Sequence, residues 1–199
     1  MRMHLMIKSN VLTIIMCRLH MSQVNTFVKT QGLKNLKVVF LVRDPRAMYS
    51  SVKALYNKSK TGWRTLCDEM LDDVKQFAKI KSIMPNKFFF LRYEDLVLDI
   101  QNESRKLMKN LGLKYSKTLD KYIKTHSHIP DNKKTTENPH SLFRETQENA
   151  FKWTQYISSK EAKFMETICN DVMDKMGYEF VPSNWTTGQV PRLLKPIEI

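Results

Sequence analysis

Two short apolar runs interrupt an otherwise mixed chain, Leu36-Lys37-Val38-Val39-Phe40-Leu41-Val42 and Phe88-Phe89-Phe90-Leu91. Short runs rich in valine and phenylalanine predict buried strands. A third run, Val11-Leu12-Thr13-Ile14-Ile15-Met16, predicts another core strand. Between it and Val38 lies a helical stretch from Ser22 to Thr30, closed by Gly32. Strand, helix, strand is the pattern of a parallel sheet, because parallel strands need a crossover. The expected fold class is therefore α/β, a parallel sheet flanked by helices.

Elsewhere the apolar period is that of a helix. Trp63, Leu66, Cys67, Met70, Leu71, Val74, Phe77 and Ala78 make one face, with Asp68, Asp72, Asp73 and Lys75 mostly opposite, and the helix ends before Pro85. A second helix begins near Asn102, buries Leu107, Met108 and Leu111, and stops at Gly112. Leu119, Tyr122 and Ile123 predict a short third. Thr125 to Thr146 is polar and carries Pro130, Pro139, His126 and His128. Two histidines alone make a poor metal site, and no metal is expected. The last helix starts at Ser158, with Glu161 three residues on as a capping box. Phe164, Met165, Ile168, Cys169, Val172, Met173 and Met176 form one continuous stripe, which Gly177 ends. Residues 1–181 are expected to form one domain, and 182–199 a proline-punctuated tail.

The chemistry concentrates where strands meet helices. After Val42 the character changes at once: Asp44 suits a helix cap, Pro45 the first helical position, and Met48, Val52 and Leu55 follow at helical spacing. Arg43 sits at the junction. A helix N-terminus presents unpaired N–H groups, and an arginine fork matches phosphate oxygens. Two readings are open: an anion site, or a strand–helix unit whose Arg43 pairs with a carboxylate. The second junction is Arg92-Tyr93-Glu94-Asp95-Leu96. A tyrosine at the end of a strand offers a flat face to a base. Glu94 and Asp95 read as anchors of the loop, by capping or by pairing with Arg92, with a catalytic role as the alternative.

Charge sharpens the picture. With 33 Lys and Arg against 20 Asp and Glu, the net charge is +13, which favours anionic partners without choosing among them. No basic run is dense enough for a nucleic-acid arm. The three cysteines, Cys17, Cys67 and Cys169, form no C-x-x-C pair, so they allow one disulfide and a free thiol, or three thiols. Asn57-Lys58-Ser59, Asn102-Glu103-Ser104 and Asn184-Trp185-Thr186 are glycosylation tripeptides. Met1 to Lys8 has the basic, partly apolar character of a signal-peptide start, without a small-residue cleavage site. The longest mostly apolar run, Val11 to Cys17, falls far short of the ~20 residues that cross a bilayer.

Val42-Arg43-Asp44-Pro45-Arg46-Ala47, with Ser51 eight residues after Arg43, resembles the 3′-phosphate-binding segment of sulfotransferases. It is most similar to the Golgi carbohydrate sulfotransferases that modify N-acetylglucosamine or galactose. Arg92-Tyr93-Glu94-Asp95-Leu96 resembles a second segment of that family, and Ser141 to Glu145 followed by Phe151-Lys152-Trp153 resembles a third. The resemblance runs over about residues 10 to 180, with Arg18 in a family-like position after the first strand.

That resemblance implies a sulfotransferase fold like that of P-loop NTPases. It implies the sulfo donor 3′-phosphoadenosine 5′-phosphosulfate, with Arg43 and Ser51 on its 3′-phosphate, Tyr93 near the adenine and Arg144 as a further phosphate contact. It implies a glycan or glycoprotein acceptor and a type II protein of the Golgi lumen, whose membrane anchor is not in this chain. The family's 5′-phosphosulfate loop has no counterpart here, and no G-x-x-x-x-G-K-[ST] sequence occurs. The expectation is therefore a domain incomplete at its N-terminus, with no catalytic base assigned. The alternative is a catalytically incomplete remnant that binds anions or glycans.

Overall fold

A computed structural model describes residues 3–8, 11–16, 20–31, 36–56, 62–127, 146–190 and 193–197. Its centre is a parallel pair of strands, β3 (Val38–Val42) and β4 (Phe88–Arg92). Val38 pairs with Phe88 and Val42 with Arg92, a constant offset of fifty residues. The crossover between them carries two helices, α2 (Pro45–Tyr56) and α3 (Trp63–Ile83). The α/β architecture expected from the apolar runs is thus present, as a parallel pair flanked by helices.

The strand at Val11–Met16 (β2) forms, but β3 is not its partner. It pairs antiparallel with β1 (Met3–Lys8), Met3 opposite Met16 and Lys8 opposite Val11, in a separate two-stranded sheet. Only two residues separate β1 from β2, so an antiparallel partner lies within immediate reach, whereas a parallel one needs a crossover. The signal-like start at Met1 to Lys8 accordingly contains a strand. Helix α1 (Met21–Gln31) follows, close to the expected Ser22–Thr30.

After β4 come α4 (Tyr93–Leu98), α5 (Ile100–Leu111) and α6 (Lys117–His126). Gly112 ends α5 in the left-handed conformation, as its place in the sequence predicts. Then α7 (Thr146–Phe151) runs into a short 3-10 turn, Lys152–Gln155. The single last helix expected from one apolar stripe is two, α8 (Ser159–Ile168) and α9 (Asn170–Lys175). The Ser158–Glu161 capping box is formed. The break is at Cys169, which leaves helical dihedrals (φ −107°, ψ 13°) and is disulfide-bonded to Cys67 on α3.

Two apolar clusters hold these elements together. The larger joins α2, α3, α8 and α9 around Trp63, Met165, Val172 and Met173, and includes Trp153, Trp185 and Leu193. The smaller is aromatic: Phe77 of α3 stacks on Phe40 at 5.3 Å and meets Phe88 and Phe90 edge-on. The strand β3, expected to be buried throughout, is covered chiefly on this side. Leu41, which points the other way, is 55% exposed. The segment beyond α9 packs back on the body. Tyr178 pairs with Leu194, and Trp185 and Leu193 are buried.

Candidate functional site

The constant offset of the parallel pair brings the two sequence motifs side by side. Both strands end at the same level, so Arg43 follows β3 where Tyr93 follows β4. Sites in such sheets form at these carboxyl ends. The Arg43 guanidinium lies over the Tyr93 ring, 4.7 Å from its centroid. Asn149 of α7 bridges the two: its Nδ2 donates to the Tyr93 hydroxyl at 3.2 Å, and its carbonyl accepts from Arg43 Nη2 at 3.3 Å. The Nε of Arg43 is buried and has no hydrogen-bond partner among the described residues. No ion pair to Arg43 is formed there either, so a carboxylate partner for it is not seen among the described residues.

The turn that carries Arg43 is rigid. Asp44 caps α2, its Oδ1 accepting the Arg46 N–H at 2.8 Å, and the α2 N-terminus is thereby served by the chain's own carboxylate. The same carboxylate takes the Arg46 side chain through Nε and Nη2 at 2.8 to 3.2 Å. Arg46 Nη1 donates to Glu166 at 2.7 Å and to the Glu179 carbonyl at 3.0 Å. Its guanidinium lies over Trp153 at 4.5 Å. Burial works against the charge on Arg46, but Asp44 and Glu166 outweigh it and hold its pKa above the usual value. Burial pushes the Glu166 carboxyl up.

The second motif is equally anchored. Arg92 pairs with Asp95 at 2.7 Å, one of the two anchoring modes open from the sequence, and its Nη1 donates to the carbonyls of Met176, Gly177 and Lys195. Glu94 is the other anchor: it accepts the Asp44 N–H at 3.1 Å and the Tyr178 hydroxyl at 2.7 Å. Burial, with Asp44 beside it, pushes the Glu94 carboxyl up to about 7. Burial also lifts the Tyr178 hydroxyl well above its ordinary range.

Of the four residues singled out from the sequence, the fold brings Arg43 and Tyr93 into contact. Ser51 stands exposed on α2, six residues and about 9 Å along the axis from Pro45. Arg144 lies outside the described residues, as do Arg18 and His128. His126 is on α6, stacked on Tyr122. Sequence reasoning missed Asn149, Glu166 and Tyr178. Tyr178 carried a faint signal, as the residue after the glycine that ends the last helix. Asn149 carried none.

Residues 19–117, which include Arg43, Ser51 and Tyr93, match the model of the Sulfotransferase family. Carbohydrate sulfotransferase 1 of Danio rerio is 25% identical over 167 residues, covering 75% of this chain and 40% of that protein. Carbohydrate sulfotransferase 3 of Tetronarce californica is 24% identical over 165 residues, covering 74% and 37%. The chain therefore spans about 40% of the length of these relatives. The crystal structure of mouse sulfotransferase SULT7A1 complexed with PAP superposes with a TM-score of 0.48 at 17% identity, over 78% of this chain and 64% of that one. Residues 19–117 thus match the sulfotransferase family, and the carbohydrate sulfotransferases extend that similarity to about three quarters of the chain.

Proposed function

We propose that this chain forms the nucleotide-binding part of a carbohydrate sulfotransferase. The reaction moves a sulfo group from 3′-phosphoadenosine 5′-phosphosulfate to a sugar hydroxyl. The bond from sulfur to the donor's phosphate oxygen breaks, a bond from sulfur to the sugar oxygen forms, and the hydroxyl proton leaves. The observation that carries the reading is the state of Arg43. It is fixed at the carboxyl end of the parallel pair, stacked on Tyr93, with a buried Nε that has no partner among the described residues. A buried donor left without a partner is costly, and a phosphate oxygen supplies the missing acceptor.

In this reading Arg43 takes the 3′-phosphate. Ser51 adds a hydroxyl from α2, Tyr93 borders the adenine, and Arg144 gives a further phosphate contact. The acceptor is a glycan or glycoprotein. The compartment is the Golgi lumen, with the protein held in the type II orientation. The Cys67–Cys169 disulfide supports an oxidising compartment. Asn102 and Asn184 are exposed tripeptide asparagines that such a compartment would allow to be glycosylated.

The test is calorimetric titration with 3′-phosphoadenosine 5′-phosphate of the wild-type chain, Arg43→Ala and Arg43→Lys. Charged hydrogen bonds contribute about 1.5–3 kcal/mol, so Arg43→Ala should weaken binding on the order of 10- to 100-fold. Arg43→Lys restores the charge without the fork and should recover only part of it. Binding of equal strength in all three proteins would refute the role of Arg43. Nonspecific attraction to the basic surface would instead show steep salt dependence and indifference to this one residue.

A further inference from the structure

Glu94 follows Tyr93 directly, is fully buried, and joins two parts of the fold. Its Oε1 accepts the Asp44 N–H at 3.1 Å, which fixes the peptide between Arg43 and Asp44 and so the direction in which Arg43 leaves β3. Its Oε2 accepts the hydroxyl of Tyr178 at 2.7 Å, the residue that pairs with Leu194 of the C-terminal segment. The charged and titratable groups around it are Asp44 from the β3–α2 turn, Tyr178 from beyond α9, and Arg92 from β4, which lies over the Tyr178 ring at 5.5 Å. Arg46 is committed to Asp44 and Glu166. An ionised Glu94 thus has a second carboxylate beside it and no salt bridge among the described residues.

We propose that Glu94 is a positioning residue for the anion site, and that an anion bound by Arg43 drives proton uptake onto the Glu94 carboxyl. This rests on the reading of Arg43 as the phosphate-binding arginine. A phosphate at Arg43 adds negative charge beside a turn that already carries Asp44 and has Glu94 packed against it, and protonating Glu94 relieves the repulsion. The scaffold survives the change. A protonated Glu94 still accepts the Asp44 N–H at Oε1, while Oε2–H donates to the Tyr178 oxygen, which turns from donor to acceptor. Because burial and Asp44 raise this carboxyl to about 7, the exchange falls near neutral pH.

The experiment is titration of the full chain with 3′-phosphoadenosine 5′-phosphate at pH 6, 7 and 8, in buffers of different ionisation enthalpy, which counts protons taken up on binding. Wild type is compared with Glu94→Gln and Tyr178→Phe. The glutamine keeps both hydrogen bonds and cannot titrate. Wild type should take up a measurable fraction of a proton more than Glu94→Gln. Its affinity should fall relative to that variant between pH 6 and 8, by up to about tenfold for one unit of pKa displacement. The ligand's own phosphate titrates equally with both proteins and cancels in the difference. Tyr178→Phe removes a bond to the ionised carboxyl and should move the uptake to higher pH. Retained binding with equal proton uptake in wild type and Glu94→Gln overturns this proposal alone. Absence of binding by wild type overturns the nucleotide reading, and this one with it. Should Glu94→Gln not fold, an uptake curve in Tyr178→Phe unchanged from wild type is the overturning result.

Discussion

Three arginines of the two motifs show how one residue type is put to different uses. Every side-chain nitrogen of Arg46 and Arg92 has a partner, in carboxylates or backbone carbonyls. Arg43 keeps a donor unpaired among the described residues. The two kinds of site should fail differently. Arg46→Ala leaves Asp44 and Glu166 buried without their cation, and breaking such a cluster costs about 3–5 kcal/mol. Urea unfolding should show that loss for Arg46→Ala, while Arg43→Ala should unfold close to wild type. A stability loss in Arg43→Ala as large as that in Arg46→Ala would mean that Arg43 is structural after all. The difference was only half legible in the sequence. The strand-to-helix signature placed Arg43 and Tyr93 at the ends of their runs, and parallel pairing did the rest. Which arginine stays open depends on Glu166 and Asn149, more than a hundred residues downstream of Arg46 and Arg43. Nothing local in the sequence marks either residue as a partner.

Individual elements were readable because period and breakers are local, whereas their partners are not. The apolar run at Val11–Met16 announces a strand but says nothing of which strand it joins. The stripe from Phe164 to Met176 announces one helix, because burial runs from Met165 before the break at Cys169 to Val172 and Met173 after it. At the break, Cys169 is tied covalently to α3, 102 residues away in sequence. The disulfide closes a long loop and links α3 to the α8–α9 corner, so removing it should cost about 2–5 kcal/mol. Cys67→Ser with Cys169→Ser should lower the urea midpoint accordingly. It should leave nucleotide affinity in the folded protein within about twofold, since a change in stability alone alters binding only through the folded fraction, and the disulfide shares no residue with Arg43, Tyr93 and Asn149. A large affinity loss in the folded double variant would show that the corner acts on the site.

At the scale of the whole molecule, the two motifs and the C-terminal segment form one connected body. The sequence offered little sign of this, because Trp185 and the Leu193-Leu194 pair lie in a proline-punctuated stretch and follow no period. In the fold, Trp185 lies tilted against Trp153, ring centroids 5.9 Å apart, and both it and Leu193 are buried. Arg92 grips the carbonyls of Gly177 and Lys195 together, which fastens the returning segment to the end of β4. Gly177 is where the chain turns back, at φ +71°, and a Cβ there would lie 2.7 Å from the Lys195 carbonyl oxygen and 2.8 Å from Arg92 Nη1. Deleting residues 182–199 takes a tryptophan and a leucine out of the core, a loss of more than about 5 kcal/mol by the usual cost of such truncations. That is comparable with the entire stability of many domains, so the shortened chain should show no cooperative thermal transition. Gly177→Ala, which keeps the segment but strains the turn, should still melt cooperatively at a lower temperature. Because Arg92 and Tyr178 lead directly to Glu94 and the Arg43 turn, the same variant should also bind the nucleotide more weakly. A deletion that melts like wild type would make the segment an appendage, and the connection from Gly177 to the anion site would fall with it.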